Sequence, residues 1–180
     1  MRRSMCGTER LEIEPLVARH AAVLYEVLRD ARIYEFMPTD PPASVEALEA
    51  RYRMLEGRSS PDGSEAWLNW AVRWRDGGAY VGRLEATVRP DGTALIAYEI
   101  SPREWGKGIG REACRWLVNE LVVEYGVGEV RAEVDTRNLA SIRLLENLGF
   151  ARSGATENAD WFKGATSHEY KYSWRAVRVP

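Results

Sequence analysis

The sequence predicts an α+β fold in which one mostly antiparallel central sheet is flanked by helices. Three β-patterned runs cover residues 67–74, 80–88 and 93–100, and they are joined by Asp76-Gly77-Gly78 and Asp91-Gly92. Asp-Gly between such runs is a strong hairpin signal, so three consecutive antiparallel strands are expected. A strand–loop–helix–strand unit follows, and such a unit places its second strand parallel to the first.

The first part of the chain supplies a further short strand and two helices. Alternating apolar residues predict a strand over 11–13. Apolar residues at helical spacing predict a helix over 16–30. Ser44 is expected to cap a second helix that ends near Glu56, because serine accepts hydrogen bonds from unpaired amides at helix starts. Residues 57–64 are rich in Gly, Ser and Pro and predict a loop.

The second half of the chain continues the mixed pattern of strands and helices. The elements expected there are a long helix ending near Tyr125, a strand over 130–134, a short helix over 138–148, and a closing strand pair over 150–156 and 169–174, separated by a long loop over 157–167.

Length and charge limit the classes of protein to consider. The chain has 180 residues, 45% of them hydrophobic, and a net charge of −2. We expect a flexible tail over 1–8 and a single domain over 9–180, since domains commonly span roughly 100–200 residues. The net charge gives no strongly basic field that would hold a nucleic-acid backbone. No run of residues approaches the ~18 apolar residues of a membrane span.

The N-terminus and the cysteines indicate a cytoplasmic protein. The first residues have no apolar core after their arginines, so no signal peptide is expected. Cys6 and Cys114 form no metal or redox motif, and Cys114 falls near the apolar stripe of a helix. Free thiols suit a reducing cytoplasm, and no metal site is expected.

Three glycines mark the point where the third strand of the hairpin series gives way to a helix. Gly106, Gly108 and Gly110 stand at alternate positions. Glycine lets backbone amides approach a ligand closely, and a helix start has unpaired amides with partial positive charge. The turn therefore predicts a phosphate or pyrophosphate site, to which Lys107 adds a mobile charge.

The spacing of these glycines differs from the common nucleotide motifs. A dinucleotide fingerprint needs G-x-G-x-x-G in an early βαβ unit, and a Walker loop needs Lys followed by Ser or Thr. Here three antiparallel strands come first, and Lys107 is followed by Gly108. A tight turn whose glycines serve packing alone is the alternative.

A second motif begins at the start of the last predicted helix. Asn138 and Ser141 lie three residues apart, hence on one face of that helix. Taken alone, Asn138 is a helix N-cap and Ser141 an early polar residue. Leu145 and Leu148 face inward, and Gly149 ends the helix.

Together the two motifs resemble those of the GNAT N-acetyltransferases. The stretch Arg103-x-x-Gly106-x-Gly108 matches their R/Q-x-x-G-x-G/A signature, and the segment 138–150 is similar to their second conserved segment. Trp105 directly before the first glycine resembles the RimJ/RimL branch, which acetylates protein N-termini and related amines. The order of elements is also similar over nearly the whole chain.

The resemblance implies where acetyl-CoA, the co-substrate, binds. It is expected in a cleft between two splayed parallel strands, with its pantetheine arm along the backbone at the end of the first strand and its pyrophosphate on the amides of the glycine turn. The residues expected to contact it are Ile100, Ser101, Arg103, Trp105, Gly106, Lys107, Gly108, Ile109, Gly110, Arg111, Asn138 and Ser141.

The implied reaction is direct attack of a primary amine on the thioester. Ser141 resembles the serine that donates a proton to the leaving thiolate in RimL-like enzymes. A base must accept the proton of the amine, and Glu99, beside the end of a strand, is the expected catalytic carboxylate if burial raises its pKa. Glu85 on the preceding strand and a chain of water molecules are the alternatives.

The acceptor itself cannot be assigned from the sequence. It is expected to be the α-amine of a protein N-terminus or a small-molecule amine, and strand edges would allow two copies to form a homodimer. Trp70 and Trp74 are expected in the core, and Trp161 at the rim of the acceptor pocket. Two alternatives are a non-catalytic acyl-CoA-binding module and an enzyme that uses a longer acyl-CoA.

Overall fold

A computed structural model describes residues 7–176 and contains one seven-stranded sheet in the order β1-β2-β3-β4-β5-β7-β6. The strands are β1 (Leu11–Pro15), β2 (Ala66–Trp74), β3 (Tyr80–Val88), β4 (Thr93–Ile100), β5 (Glu129–Asp135), β6 (Ala151–Phe162) and β7 (Ala165–Arg175). The helices are α1 (Ala21–Leu28), α2 (Val45–Leu55), α3 (Ile109–Tyr125) and α4 (Leu139–Asn147), with short 3-10 helices at Ala18–His20, Ala31–Tyr34 and Pro102–Glu104.

The sheet confirms the predicted α+β class. Every neighbouring pair of strands is antiparallel except β4 and β5, which are parallel. The two Asp-Gly turns join β2 to β3 and β3 to β4, as expected. β1 and β6 form the edges of the sheet, and association of two copies along an edge stays a prediction.

Helices cover both faces of the sheet. One apolar cluster packs α1 and α2 against the sheet near Ala71 and Tyr80. The other, larger cluster includes the inward faces of α3 and α4. Trp70 is buried in it and packs edge-on against Trp116. Cys114 is fully buried there as a free thiol, which confirms its predicted place in the core.

The capping residues explain where the first helices begin and end. The Ser44 hydroxyl accepts from the amide of Ala47 at 3.2 Å, which confirms the predicted N-cap of α2. The helix expected over 16–30 is shorter than predicted. The Asp30 carboxylate accepts from the amide of Arg32 at 3.1 Å, so it starts the next 3-10 helix instead of extending α1.

The closing strands differ from the sequence prediction. Residues 157–167, expected as a loop, belong to a long hairpin in which Phe162 pairs with Ala165. Lys163 and Gly164, with φ of 51° and 77°, form the two-residue connection, and positive φ at both positions is typical of a type I′ turn. Many residues of β6 are exposed, so an alternation of buried and exposed residues could not reveal the strand.

The beginning of the chain is less loose than expected. Gly7 pairs with Glu12 in an isolated bridge, and the Thr8 hydroxyl donates to Glu112 on α3. Most of the predicted tail, with Cys6, lies outside the described residues. No helix within residues 7–176 has the length and apolar character needed to span a bilayer.

Candidate active site

The parallel strands β4 and β5 separate beside the glycine turn. Their ladder covers only Thr93–Leu95 opposite Glu129–Arg131. Antiparallel hydrogen bonds alternate along a strand, and Ser101 donates its amide to a carbonyl of β3 at 2.7 Å. The backbone groups of Tyr98 and Ile100 therefore point away from β3, into the gap. This gap is the predicted cleft between splayed parallel strands.

The turn after β4 presents a row of backbone amides. Gly106 and Gly108 have φ of 75° and 78°, and α3 begins directly after them. Within residues 7–176, no acceptor is bonded to the amides of Gly106, Gly108, Ile109, Gly110 and Arg111. We call these five groups the amide cradle. Unpaired amides at a helix start attract an anion, so the cradle has the donors that a diphosphate requires.

Two of the glycines are required for different reasons. Gly108 lies in the left-handed region, which side chains other than Asn and Asp rarely adopt. A Cβ atom at Gly110 would approach the Cδ1 atom of Leu144 to 3.0 Å. Glycine at 110 thus lets α4 pack closely against the start of α3.

Arg10 braces the turn from outside. Its Nη1 atom donates to the carbonyl of Lys107 at 3.3 Å, and its Nε atom donates to Glu112 at 2.6 Å. Burial alone would raise the pKa of Glu112, but hydrogen bonds from Thr8 and Arg10 hold it below its usual value. The sequence analysis missed this brace because the partners are distant in the chain.

The residues between β4 and the cradle serve the turn itself. The Ile100 carbonyl accepts from Trp105 Nε1 at 2.9 Å. The Ser101 carbonyl accepts from the amide of Glu104 at 2.9 Å, and its amide is bonded to β3. Both backbone groups of Ser101 thus have a partner within the protein, whereas the Ile100 amide faces the gap, so a pantetheine contact at Ser101 stays a prediction.

The predicted cationic residues surround the cradle. Arg103 and Arg111 are exposed, and neither forms an ion pair within the described part of the chain. Lys107 lies 3.1 Å from Glu104, with 56% of its side chain exposed. An exposed pair of this kind contributes little to stability, so Lys107 can exchange this partner for an anionic ligand.

Asn138 and Ser141 lie at the start of α4. The Asn138 carboxamide accepts from the amide of Ser141 at 3.1 Å, so it is the N-cap. The Ser141 Oγ atom lies 2.5 Å from the Tyr98 Oη atom, and either can be the donor. Burial raises the pKa of Tyr98 far above its usual value, so the phenol keeps its proton at neutral pH and can donate to Ser141.

Glu99 lies on the opposite face of β4 from Tyr98. It is buried, and its carboxylate accepts from Arg83 at 2.5 and 3.2 Å. Arg83 also contacts Glu85 at 3.1 Å. These three side chains, which we call the acidic trio, carry one excess negative charge when all are ionised. Glu85 and Glu99, the two carboxylates predicted as candidate bases, therefore lie together, and both contact Arg83.

A cavity of about 340 Å³ lies above the trio. Its lining includes Tyr34 and Leu48 from the α1–α2 side and extends to Tyr98 on β4. On β4 the lining consists of Ala97, Tyr98 and Glu99, so the cavity lies beside the end of the strand that borders the gap. Burial raises the pKa of Tyr52, behind the trio, to about 12, so that phenol stays neutral.

The sequence analysis missed Arg83 and Tyr98. Alternation along β4 places Tyr98 on the opposite face from Glu99, but it cannot show that Tyr98 contacts Ser141. Trp161, expected at a pocket rim, lies on β6 with 67% exposure and does not line the cavity. No group of three or more His, Cys, Asp or Glu within residues 7–176 could hold a metal ion.

Comparison with known proteins gives a consistent result. The family model described as acetyltransferase (GNAT) domain matches residues 10–151. The chain is 25% identical over 166 residues to the uncharacterized N-acetyltransferase p20 of Bacillus licheniformis, covering 92% of this chain and 93% of that protein.

Two solved structures share the fold. Ribosomal-protein-S5-alanine acetyltransferase from Vibrio fischeri has a TM-score of 0.82 at 17% identity, covering 95% of this chain and 96% of its own. Spermidine N-acetyltransferase from Vibrio cholerae, in complex with CoA and spermine, has a TM-score of 0.80 at 16% identity, covering 93% and 96% of the two chains.

Proposed function

The chain belongs to the GNAT acetyltransferase family and is an acetyl-CoA-dependent N-acetyltransferase, and from this premise we propose that its acceptor is a cationic primary amine that enters through the cavity above the acidic trio. The observation that carries the proposal is the position of the cavity and the amide cradle at the same end of β4. The cavity, whose lining includes Glu85 and Glu99, lies against the last residues of β4, and the amide cradle follows that strand after a short turn. An amine and a thioester can therefore meet at Ile100.

The donor side of the site consists mainly of backbone amides. The amide cradle and the exposed Arg103 and Arg111 suit the diphosphate of acetyl-CoA. Acetyl-CoA supplies an acetyl group activated as a thioester. The CoA thiol that the reaction releases has a pKa of roughly 8.5. The Ile100 amide points into the gap and can stabilise negative charge on the carbonyl oxygen. Ser141, backed by Tyr98, supplies a proton to the departing thiolate.

The acceptor side of the site is lined by charged side chains. The acidic and basic residues that line the cavity are Asp40, Arg51, Arg83, Glu85 and Glu99, so carboxylates exceed guanidinium groups by one. This excess favours entry of an ammonium group. The amine must then lose a proton, and the trio, which lines the cavity, is the group that accepts it in this proposal. In the attack, a C–N bond forms and the C–S bond breaks.

The structural neighbours support an amine acceptor without identifying it. One is named for an alanine of ribosomal protein S5, the other for spermidine. We propose membership of the RimJ/RimL branch on the basis of Trp105, which directly precedes the glycine turn and whose indole donates to the end of β4.

An acceptor panel tests the proposed function. Purified protein is mixed with acetyl-CoA and, in turn, spermidine, peptides beginning with alanine or serine, and the same peptides acetylated at the N-terminus. Release of free CoA thiol is expected with at least one free amine and with none of the blocked peptides. Binding of acetyl-CoA without thiol release from any amine would indicate a non-catalytic binding module instead.

The trio gives a prediction of its own. Glu99→Gln is expected to lower kcat/KM for the amine about 100-fold, since it removes the excess negative charge next to the gap. Glu85→Gln is expected to cost about tenfold, because Glu85 is farther from Ile100 along the sheet and more exposed. Steady-state rates at saturating acetyl-CoA measure both effects.

Glu129→Gln on β5 is the matched control for the trio. Glu129 pairs with Arg131 away from the cavity, so loss of this charge should leave kcat/KM unchanged. Equal losses in all three variants, or none in Glu99→Gln, would contradict the role of the trio.

A further inference from the structure

Lys163, at the tip of the β6–β7 hairpin, reaches across to the segment that follows the second 3-10 helix. Its Nζ atom donates to the carbonyls of Tyr34, Met37 and Thr39 at 2.8, 2.7 and 2.9 Å. An ammonium group has three N–H donors, so all of them have partners. The Asp40 carboxylate lies 3.6 Å away.

The segment that Lys163 contacts is a wall of the acceptor cavity. Tyr34, Met37, Thr39 and Asp40 all line it. After Tyr34 the segment has no regular secondary structure. Among the described residues, its local backbone hydrogen bonds join the Met37 amide to the Tyr34 carbonyl and the Glu35 amide to the Arg32 carbonyl, the latter at 3.5 Å. Its position therefore depends on contacts from outside.

Arg137 supplies a second contact between the same parts. Its guanidinium lies 5.9 Å from the ring centre of Phe36 and 5.6 Å from that of Phe162. Asp135 holds it through hydrogen bonds of 2.8 and 2.6 Å. Arg137 directly precedes Asn138, so the wall, the hairpin tip and the start of α4 meet at one place.

We propose that Lys163 and Arg137 form a clasp that fixes residues 34–40 as the wall of the acceptor cavity, and that Lys163 is a positioning residue that sets the affinity for the amine. The carbonyls lose their charged partner when Lys163 is removed, and the wall then loosens. Donor binding is separate, because the hydrogen bonds of Lys163 go to residues 34, 37 and 39 and to none of the cradle residues. The affinity statement rests on the proposed function, whereas the clasp itself does not.

Lys163→Met tests the proposal, since methionine keeps an apolar stem and removes the charge. Loss of charge-assisted hydrogen bonds is expected to raise KM about tenfold for the amine, spermidine or an alanine peptide, that the panel shows to be acetylated, with kcat changed less than about twofold. Titration calorimetry should give an unchanged Kd for acetyl-CoA. Hydrogen exchange measured by mass spectrometry should be faster in residues 34–40.

Lys171→Met is the matched control. Lys171 lies on β7 of the same hairpin and is exposed, so its loss should alter neither KM nor exchange in residues 34–40. The proposal is overturned if Lys163→Met leaves that exchange unchanged, or if acetyl-CoA Kd and amine KM rise together while Tm falls.

The exchange measurement needs neither an acceptor nor acetyl-CoA. If no amine is acetylated, the proposed function fails, and the exchange result still decides whether the clasp holds the wall.

Discussion

Gly108→Asp is expected to weaken acetyl-CoA binding about 100-fold, corresponding to about 3 kcal/mol of repulsion between the new carboxylate and the diphosphate. Residue 108 directly precedes α3, with φ of 78°, and the nearest atom to a Cβ there is Arg10 Nη2 at 3.7 Å. A side chain therefore has room, and it would stand beside the amide cradle. Titration calorimetry with acetyl-CoA measures the loss.

Gly108→Asn separates charge from backbone geometry. Asparagine has nearly the same shape as aspartate, and both tolerate the left-handed conformation. The Asn variant is expected to lose no more than about fivefold in Kd, since only a mild backbone cost remains. Equal losses in the two variants would assign the effect to the backbone, and unchanged Kd values in both would refute the cradle as the diphosphate site.

Ser141→Ala is expected to lower kcat about 100-fold, as removal of a proton donor to a leaving group typically does. Tyr98→Phe is expected to cost about tenfold, because the phenol acts only through Ser141. The double variant should be no slower than Ser141→Ala alone, since both changes remove the same chain of hydrogen bonds. Saturating rates of thiol release measure kcat in all three.

Two further measurements distinguish proton donation from a structural role. Acetyl-CoA Kd should be unchanged in each variant, because the cradle is intact. An acetyl thioester with a more acidic thiol should restore most of the lost rate, since that thiolate leaves without protonation. A loss of the same size with both donors would show that Ser141 and Tyr98 do not protonate the thiol.

The strands and most helices could be predicted because their signals are local. The Asp-Gly turns around β3 and the serine cap of α2 act over a few residues, and the structure confirms them. The outer part of the β6–β7 hairpin, residues 157–167, could not be predicted in the same way. Its connection is Lys163-Gly164 rather than Asn-Gly or Asp-Gly, and β6 is exposed along most of its length. Pairing with β7 therefore defines it, and pairing is not a local property.

The candidate site likewise contains residues with a local sequence signal and residues that only tertiary packing brings together. The glycine spacing indicated an anion site because unpaired amides at a helix start depend only on local backbone. Glu99 was found through its position beside the end of β4, yet its pairing with Arg83 depends on the register of β3 and β4. The Tyr98 to Ser141 contact requires α4 to pack over β4, and no pattern within either segment records that.

By itself, the sequence determined the class of fold, the turn that carries the amide cradle, and the pair Asn138 and Ser141 at a helix start. Each of these follows from the conformations allowed to a few consecutive residues. Only the tertiary structure decided that Arg83 joins Glu99, that Tyr98 backs Ser141, and that Lys163 reaches the cavity wall. These contacts join residues from 16 to 129 positions apart, so they exist only once the sheet and its helices have packed.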